Sequence, residues 1–462
     1  MKNIKNFFGY SLSGIAVLIL NILIIPIQTR IISVEDYGNI SYFFTIANLI
    51  FNVSLFGLDR GYVRYFNEFN NNKKKFIKKI MAIPLISVVI ISLLTYIKFK
   101  NRLDIIYLGI HSLTLIILRF YILFLRMEEK IKEYITVETF RTILFLIIPT
   151  IFYYINKQIS SYYFGVVLLD LILILFGIKY IFLEKEDTLN DRLNINMSEI
   201  LRYSIPLMMV GILSWSMASL DRIFLKKYTN LMELGYYSVA FKIISILEVI
   251  KGAFINFWNP LVYKEDQNLK EIKELYAQIL RIVIFISFLS GFLMLIFSEG
   301  IIIVLGEKYR NTLDIFYPLT LIPIMGIISE ITYIGINLEK KSYYNLYISA
   351  IILIYNLIGN YIVIKIWQSK GVAIVTGTTY ILYFILRTVI GYKFYKIYFK
   401  KIKFIILLIL YSFNSLFSFL TREKKEILYI SFFVFLFLEK KEMREIYSEL
   451  KKLINIKRMS KR

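Results

Sequence analysis

Ten ionisable side chains interrupt long apolar stretches of this sequence, and they are the residues best placed to do chemistry. An unpaired charge in an apolar environment costs several kcal/mol, so each one needs a function or a partner. Arginine and lysine can bind phosphate oxygens, and a carboxylate can take up a proton or a small cation. The five cations are Arg119, Arg141, Lys242, Lys251 and Arg387, and the five acids are Glu138, Asp170, Asp221, Glu248 and Glu330.

The spacing of four of these charges leaves two interpretations open. Glu138 and Arg141 stand three residues apart, and so do Glu248 and Lys251. Each pair therefore shares one face of a helix. An ion pair within the helix and a ligand site both fit this spacing.

The other acids have no such neighbour. Asp170 and Glu330 lack an opposite charge one turn away in their own segments, so we expect them to couple the chain to protons or sodium ions. Asp221 is followed directly by Arg222, and this pair fits either a structural lock or a substrate contact. Ion coupling or gating is also assigned to Asp221, Glu138 and Glu248.

Residue counts exclude several kinds of site. The chain has no cysteine and a single histidine, His111. Disulfides, cysteine nucleophiles and multi-histidine metal sites are therefore excluded, and we expect no catalytic residue, no metal and no cofactor. His111 is interpreted as a packed or interfacial residue rather than a proton relay. No P-loop motif is present, so ATP is not expected to be the direct energy source.

Apolar runs recur along the whole chain and must position these residues. Of the 462 residues, 58% are hydrophobic, which exceeds the share in soluble domains. Because a span needs about 20 apolar residues, we predict an all-α polytopic membrane protein. It has twelve spans, a thirteenth, and a short last run that either crosses the membrane or lies at its surface. The runs cover 7–32, 40–62, 80–97, 103–125, 134–155, 160–183, 203–225, 235–260, 278–298, 312–337, 343–367, 371–392, 403–420 and 426–438.

Lysine and arginine concentrate in alternate loops, which orients the spans. The bias predicts a multi-pass membrane protein with a cytoplasmic amino terminus. The net charge of +23 is then a matter of topology, and nucleic acid is not expected as a partner. The basic tail, 439–462, has helical apolar spacing and is predicted to rest on anionic membrane lipids, with docking to a partner protein as the alternative.

Two polar segments, 30–41 and 227–238, look alike at an offset of 197 residues. Each carries a basic residue, then an acid, then Gly38 or Gly235, then a serine three residues later. One repeat per six spans predicts two lobes related by a pseudo-two-fold axis along the membrane normal, with a substrate path between them. Chance similarity between two turns is the alternative. The predicted domains are an N-lobe at 1–195, a C-lobe at 196–400, added spans at 401–438 and the tail at 439–462.

Short motifs extend this similarity over the first 240 residues. The first half contains Pro26-Ile-Gln-Thr-Arg30, Glu35-Asp36-Tyr37-Gly38 and Gly57-Leu-Asp59-Arg60-Gly-Tyr-Val-Arg64-Tyr-Phe66. The second half contains Tyr203-Ser-Ile-Pro206, Ser219-Leu-Asp221-Arg222 and Gly235-Tyr-Tyr-Ser-Val-Ala240. In combination they resemble the polysaccharide-biosynthesis flippases (Wzx-type translocases of O-antigen repeat units) of the multidrug/oligosaccharidyl-lipid/polysaccharide (MOP) exporter superfamily. The resemblance implies a MATE-like fold with two six-helix bundles and 12–14 transmembrane helices.

The resemblance implies a transporter, not an enzyme. Its cargo would be an undecaprenyl-pyrophosphate-linked oligosaccharide, moved between the leaflets of a bacterial cytoplasmic membrane. The transporter would be a monomer, and transport would be coupled to H+ or Na+. Four cations fall in the predicted cytoplasmic half of the bilayer, where a pyrophosphate would enter, and snorkelling to the interface is the alternative. The residues assigned to this substrate path are Arg119, Arg141, Lys251, Lys242, Arg387, Arg30 and Arg222.

Three other functions stay open. A drug or cation antiporter of the same superfamily should have an acid-lined path, whereas the charges here are mixed. A lipid II flippase could use spans thirteen and fourteen as a groove for the lipid tail. A membrane glycan polymerase or ligase would need a large external loop, and the predicted external loops are short.

Overall fold

A computed structural model describes residues 23–98, 103–178, 196–262, 269–341, 343–396, 399–416, 425–445 and 448. These residues form helices joined by short turns, as expected for an apolar chain whose backbone groups must be satisfied within each segment. Residues 23–31 are helical, and a 3-10 turn covers Phe66–Asn72. The first compact part contains α1 (Val34–Ser54), α2 (Leu58–Tyr65), α3 (Lys73–Lys98), α4 (Leu103–Met127), α5 (Ile131–Asn156), α6 (Ile159–Ile178) and α7 (Met197–Tyr228).

The remaining helices follow in chain order. They are α8 (Leu231–Val262), α9 (Leu269–Ile296), α10 (Ser298–Leu305), α11 (Thr312–Leu319), α12 (Leu321–Thr332), α13 (Ile334–Leu338), α14 (Tyr343–Phe394), α15 (Lys401–Leu416) and α16 (Lys425–Leu438). Within the described residues, seven helices are long and apolar enough to cross a membrane, and the bent pair α1–α2 provides an eighth. The predicted run 7–32 lies largely outside the described residues.

The predicted span at 40–62 forms a bent pair of helices, α1 and the segment that begins with α2. The chain bends by 49° between these two parts. Gly57, at φ 68°, supplies the left-handed backbone that this break requires. A side chain there would collide with the backbone oxygen of Ser204 on α7, so Gly57 also allows α7 to approach closely.

The predicted spans 343–367 and 371–392 form one 52-residue helical segment, α14, that reverses direction. Gln368, at φ 49° and ψ −132°, is the one non-helical residue recorded inside it. Tyr355 donates a hydrogen bond to Thr378 at 3.0 Å, and Gly359 faces Val375. Both contacts join the part before Gln368 to the part after it, and the later residue of the first part meets the earlier residue of the second, so the two halves form an antiparallel hairpin.

The described chain divides into two compact units, Met1–Gly235 and Tyr236–Arg462. α7 belongs to the first unit because it packs against α1 and α2. The core of this unit is an aromatic and aliphatic cluster that includes Tyr62, Phe76 and Phe120, all fully buried. The predicted lobe boundary at 195/196 thus lies earlier in the chain than the division between units, and it stays a prediction.

The two repeat segments begin their helices in the same way. Ser33 caps α1 by accepting a hydrogen bond from the backbone N–H of Asp36 at 3.1 Å. Asn230, 197 residues later, accepts one from the N–H of Glu233 at 2.9 Å. An N-cap side chain with an acid three residues later satisfies free N–H groups and complements the helix dipole. The local geometry therefore repeats together with the sequence.

The last helix, α16, has 14 residues, or about 21 Å at 1.5 Å per residue. That length is shorter than the roughly 30 Å hydrocarbon core. Just after it, Glu439 and Glu442 both contact Lys403 of α15, at 2.9 and 2.8 Å. Most of the predicted tail helix lies outside the described residues.

Candidate functional site

Arg119 and Asp59 form the most accessible ion pair in the apolar part of the first unit. Arg119, on α4, donates Nε and Nη2 to the same oxygen, Oδ2, of Asp59 at 3.2 and 2.8 Å. The carboxylate is nearly buried, whereas the arginine side chain is 43% exposed. Among the described residues nothing accepts a hydrogen bond from Nη1 of Arg119. One edge of this guanidinium is therefore available to a ligand.

The break between α1 and α2 positions this pair. It places Asp59 in the first turn of α2, where the helix dipole stabilises a carboxylate. The adjacent residue, Arg60, is exposed and donates from Nη1 to the backbone oxygen of Leu207 on α7 at 3.1 Å. Interrupted helices place ligand-binding groups at membrane depth in many transporters. Two arginines thus flank one anchoring carboxylate at the break.

A second pair in the same unit is buried. Nδ1 of His111, on α4, lies 2.5 Å from Oδ2 of Asp170 on α6. Both residues are at most 3% exposed. The imidazole packs against the rings of Phe43 and Phe44, at centroid distances of 5.9 and 5.5 Å. His111 is packed, as expected, and Asp170 has its partner on a neighbouring helix.

In the second unit, Arg387 is enclosed rather than available. Its Nη1 donates to Glu330 Oε1 at 2.7 Å and to Ser329 Oγ at 2.9 Å. The guanidinium carbon lies 3.4 Å from the ring centre of Tyr333 and 4.7 Å from that of Tyr383. Cation–π contacts and the carboxylate together neutralise the charge in a buried site. This arrangement is typical of a structural ion pair.

Lys251 and Glu248 form the intrahelical ion pair that their spacing allows on α8. They lie against Gly326 of α12, where an added Cβ would come within 3.4 Å of Lys251 Nζ. Tyr383 lies within electrostatic range of Glu248, Glu330 and Arg387. The second unit thus gathers two cations and two acids into one internally neutralised group.

The remaining predicted site residues are more dispersed. In the described chain, no ion pair joins Glu138 and Arg141 on α5, so the intrahelical pairing considered for them is not formed. Both of these side chains are partly exposed. Arg222 donates to the backbone oxygen of Ala218, one turn earlier, at 2.8 Å. The others are buried Asp221, partly exposed Lys242 and exposed Arg30.

The charged residues were evident in the sequence, but three pairings between helices were not, including that of Arg387 with Glu330, 57 residues apart. Asp59 lies 60 residues from Arg119, and His111 lies 59 residues from Asp170. A helical spacing rule detects partners three or four residues apart and carries no information at such separations. The usable signal was the count of unmatched charges, because a buried ionisable group requires a partner.

Comparisons with known proteins agree with this architecture. Residues 4–262, more than half of the chain, match the family described as polysaccharide biosynthesis protein. No curated protein sequence matches the chain. A solved structure of the lipid II flippase MurJ, in an inward closed conformation, is similar with a TM-score of 0.68 and 16% identity, over 96% of this chain and 100% of that one.

MATE transporters are similar in fold as well. An inward-facing multidrug resistance MATE transporter of the MOP superfamily has a TM-score of 0.59 and 14% identity, over 86% of this chain and 99% of that one. A MATE transporter from Vibrio cholerae has a TM-score of 0.57 and 13% identity, over 84% and 95%. The expected MATE-like, all-α fold is therefore confirmed. This multi-pass membrane protein belongs to the polysaccharide biosynthesis protein family and has the fold of MOP-superfamily transporters.

Proposed function

We propose that this chain is a flippase that moves an undecaprenyl-pyrophosphate-linked oligosaccharide from the inner to the outer leaflet of a bacterial cytoplasmic membrane. The family and the fold support a flippase of the MOP superfamily. The observation that carries the finer proposal is the half-exposed guanidinium of Arg119, anchored by Asp59 and open along one edge. No bond is made or broken in such a step, and the chain acts by binding and release.

The chemistry of Arg119 suits a diphosphate. A guanidinium offers a planar set of N–H donors that matches phosphate oxygens, and its charge is permanent. Asp59 fixes Nε and Nη2, so the orientation of the free edge is set before a ligand arrives, which reduces the entropy cost of binding. Arg60, on the neighbouring helix α2, adds a second exposed cation.

Among the paired cations, Arg119 is the better candidate for the cargo, and Arg387 the poorer one. The side chain of Arg387 is 5% exposed and is already paired with Glu330. A phosphate could reach it only by displacing both a carboxylate and two aromatic rings. We therefore assign the diphosphate contact to Arg119, with Arg60 beside it, and a structural role to Arg387. Arg141, Lys242, Lys251, Arg30 and Arg222 stay proposed members of the path.

A cellular experiment tests this assignment. The chain is expressed in a strain that lacks its own repeat-unit flippase, and surface polysaccharide is measured at equal protein levels. Arg119→Ala should reduce export at least about tenfold, as loss of a charged hydrogen bond does. Arg119→Lys should retain part of it. The matched control is Arg126→Ala, which removes another exposed arginine of the same helix and should leave export unchanged.

The competing functions give different results in the same system. Failure of the wild-type chain to restore surface polysaccharide, together with rescue of cells depleted of their lipid II flippase, would favour a lipid II cargo. The whole-chain similarity to the lipid II flippase motivates that comparison. Drug resistance without polysaccharide export would favour an antiporter. Export that is normal in Arg119→Ala would overturn the role of Arg119 and leave the flippase assignment in place.

A further inference from the structure

The buried pair formed by His111 and Asp170 has no part in the diphosphate contact described above. It lies inside the first compact unit, where α4 and α6 pack against each other. From the sequence, Asp170 and Glu330 were both expected to couple the chain to protons or sodium ions. The structure separates these two acids by the chemistry of their partners.

Glu330 is paired with a cation that does not titrate. Arginine remains protonated at all physiological pH values, so the pair with Arg387 is neutral only while Glu330 is a carboxylate. Proton uptake by Glu330 would leave the buried guanidinium uncompensated, which costs several kcal/mol. Asp170 instead faces an imidazole, which changes charge between pH 5 and 8.

The proton count of the His111–Asp170 pair decides its charge. With a neutral imidazole that donates Nδ1–H to an ionised Asp170, the pair carries one net negative charge. One further proton makes the pair neutral, either as imidazolium with carboxylate or as imidazole with carboxylic acid. Both side chains are about 4% exposed, and a net charge is costly in apolar surroundings.

We propose that His111 and Asp170 form a proton-binding site that couples transport to a proton gradient, which replaces the interpretation of His111 from the sequence as a packed residue without a role in proton transfer. The coupling rests on the proposed flippase function, whereas proton binding itself does not. The donor set favours a proton over a sodium ion, because hard cations such as sodium are bound by several oxygen ligands. The pair supplies one carboxylate, and no cluster of three or more acidic, histidine or cysteine side chains exists among the described residues. The hydroxyls of Ser112 and Thr114 are already bonded to the α4 backbone.

The helices that pack on α4 bring aromatic rings and acidic groups near this site. α1 presents the rings of Phe43 and Phe44. α6 contributes Tyr163, whose ring stacks on Phe43 at 4.3 Å and is influenced electrostatically by Asp104 of α4 and Asp36 of α1. On α2, Asp59 is paired with Arg119.

On α5, Glu138 and Arg141 make no ion pair with either member of the site, and on α3 Ser92 is the side chain found next to α4 at Gly109. These statements cover the described residues.

The single histidine of the chain makes the binding step directly measurable. Full-length protein with 15N-labelled histidine, in nanodiscs, gives ring-nitrogen NMR signals from His111 alone. The signals should change with pH between about 5 and 9, as expected for a titrating imidazole. In Asp170→Asn, the ratio of imidazolium to imidazole at a given pH should fall at least about tenfold, since an opposite charge within 4 Å favours the charged form.

Two results would overturn proton binding. One is a wild-type signal that stays constant over the whole range, which needs no variant to fold. The other is a ratio of imidazolium to imidazole that is equal in wild type and Asp170→Asn. Asp170→Glu serves as a second variant, which keeps the carboxylate.

The coupling is tested in proteoliposomes with a polyprenyl-diphosphate-linked oligosaccharide. Wild-type transport should be stimulated by a pH gradient and not by a sodium gradient. His111→Gln and Asp170→Asn should abolish that stimulation. Ser112→Ala, which removes a buried hydroxyl next to His111, should keep it. Stimulation by sodium alone, or by pH in both variants, would overturn the coupling. Absence of any transport while the NMR titration holds would count against the flippase function and not against the proton site.

Discussion

Gly38 and Gly235, 197 residues apart, meet in a reciprocal contact between the first turns of α1 and α8. A Cβ on Gly38 would collide with the backbone oxygen of Leu231, and a Cβ on Gly235 would collide with that of Val34. Val34 and Leu231 are themselves 197 residues apart, so the two segments exchange the same contact. A local two-fold relationship produces this pattern, and chance similarity of two turns does not.

Replacing either glycine should therefore open the contact. In Gly38→Ala or Gly235→Ala the new methyl group meets a rigid backbone oxygen, and we expect a loss of about 1–3 kcal/mol, as for overpacked sites. Thermal unfolding in detergent measures the loss. Gly252→Ala is the matched control, because nothing lies within 4 Å of its added Cβ and alanine favours the helix. Equal stability of Gly38→Ala and Gly252→Ala would contradict the close contact.

The sequence was sufficient to predict this relationship only in part. The offset and the residue types indicated a repeat at Gly38 and Gly235, but the helix caps at Ser33 and Asn230 were found only in the structure. That the two glycines touch each other could not be predicted, because a repeat in sequence does not specify which surfaces meet.

The buried pair in the second unit should behave as a structural element. Arg387→Met leaves Glu330 buried without a partner, and Glu330→Leu does the same to Arg387, so each should lower the free energy of unfolding by about 3–5 kcal/mol. The double variant should recover most of the loss, since no buried charge remains. The unfolding midpoints of the three variants give the coupling free energy between Arg387 and Glu330. Additive losses in the double variant would contradict this account.

Backbone strain at Gln368 gives a prediction of increased stability, in contrast to the losses expected for the preceding variants. Its φ of 49° with ψ of −132° is a conformation that glycine adopts at little cost, whereas a side chain costs about 1–3 kcal/mol there. Gln368→Gly should therefore raise the unfolding midpoint. Lys365→Gly, three residues earlier in regular helix, should lower it by about 1 kcal/mol. A fall in both variants would mean that the side chain of Gln368 contributes more than its strain costs.

The acidic pair beside Lys403 should respond asymmetrically to pH. Burial raises the pKa of Glu439, so its contribution to stability is lost as the pH rises through the folded-state value. Burial also acts on Glu442, but contacts with Lys403 outweigh it and lower the pKa of that carboxyl, so its contribution is lost as the pH falls. At pH 7, Glu439→Gln should be neutral or stabilising and Glu442→Gln destabilising.

Unfolding midpoints at pH 7 and at pH 4 check this asymmetry. The difference in unfolding midpoint between each variant and wild type should shrink at the lower pH, where the wild-type carboxyls take up protons. A larger loss for Glu439→Gln than for Glu442→Gln at pH 7 would contradict the assignment.

Site residues were predictable as a set, but their pairings were not. Hydropathy identified Arg119, Arg387, Asp170 and Glu330 as charges that need a partner. The break at Gly57, which brings Asp59 to Arg119, depends on how α7 packs against α2. Tertiary packing of that kind overrides what a continuous apolar run predicts for a single span.

Transport of the cargo itself tests the central claim most directly. Purified chain in liposomes is supplied with a fluorescent undecaprenyl-pyrophosphate-linked oligosaccharide, and a membrane-impermeant glycosidase reports which leaflet holds it. The account predicts that wild-type protein moves the lipid-linked glycan between leaflets and that Arg119→Ala slows this at least about tenfold. Movement no faster than in protein-free liposomes, with the protein folded, would contradict it.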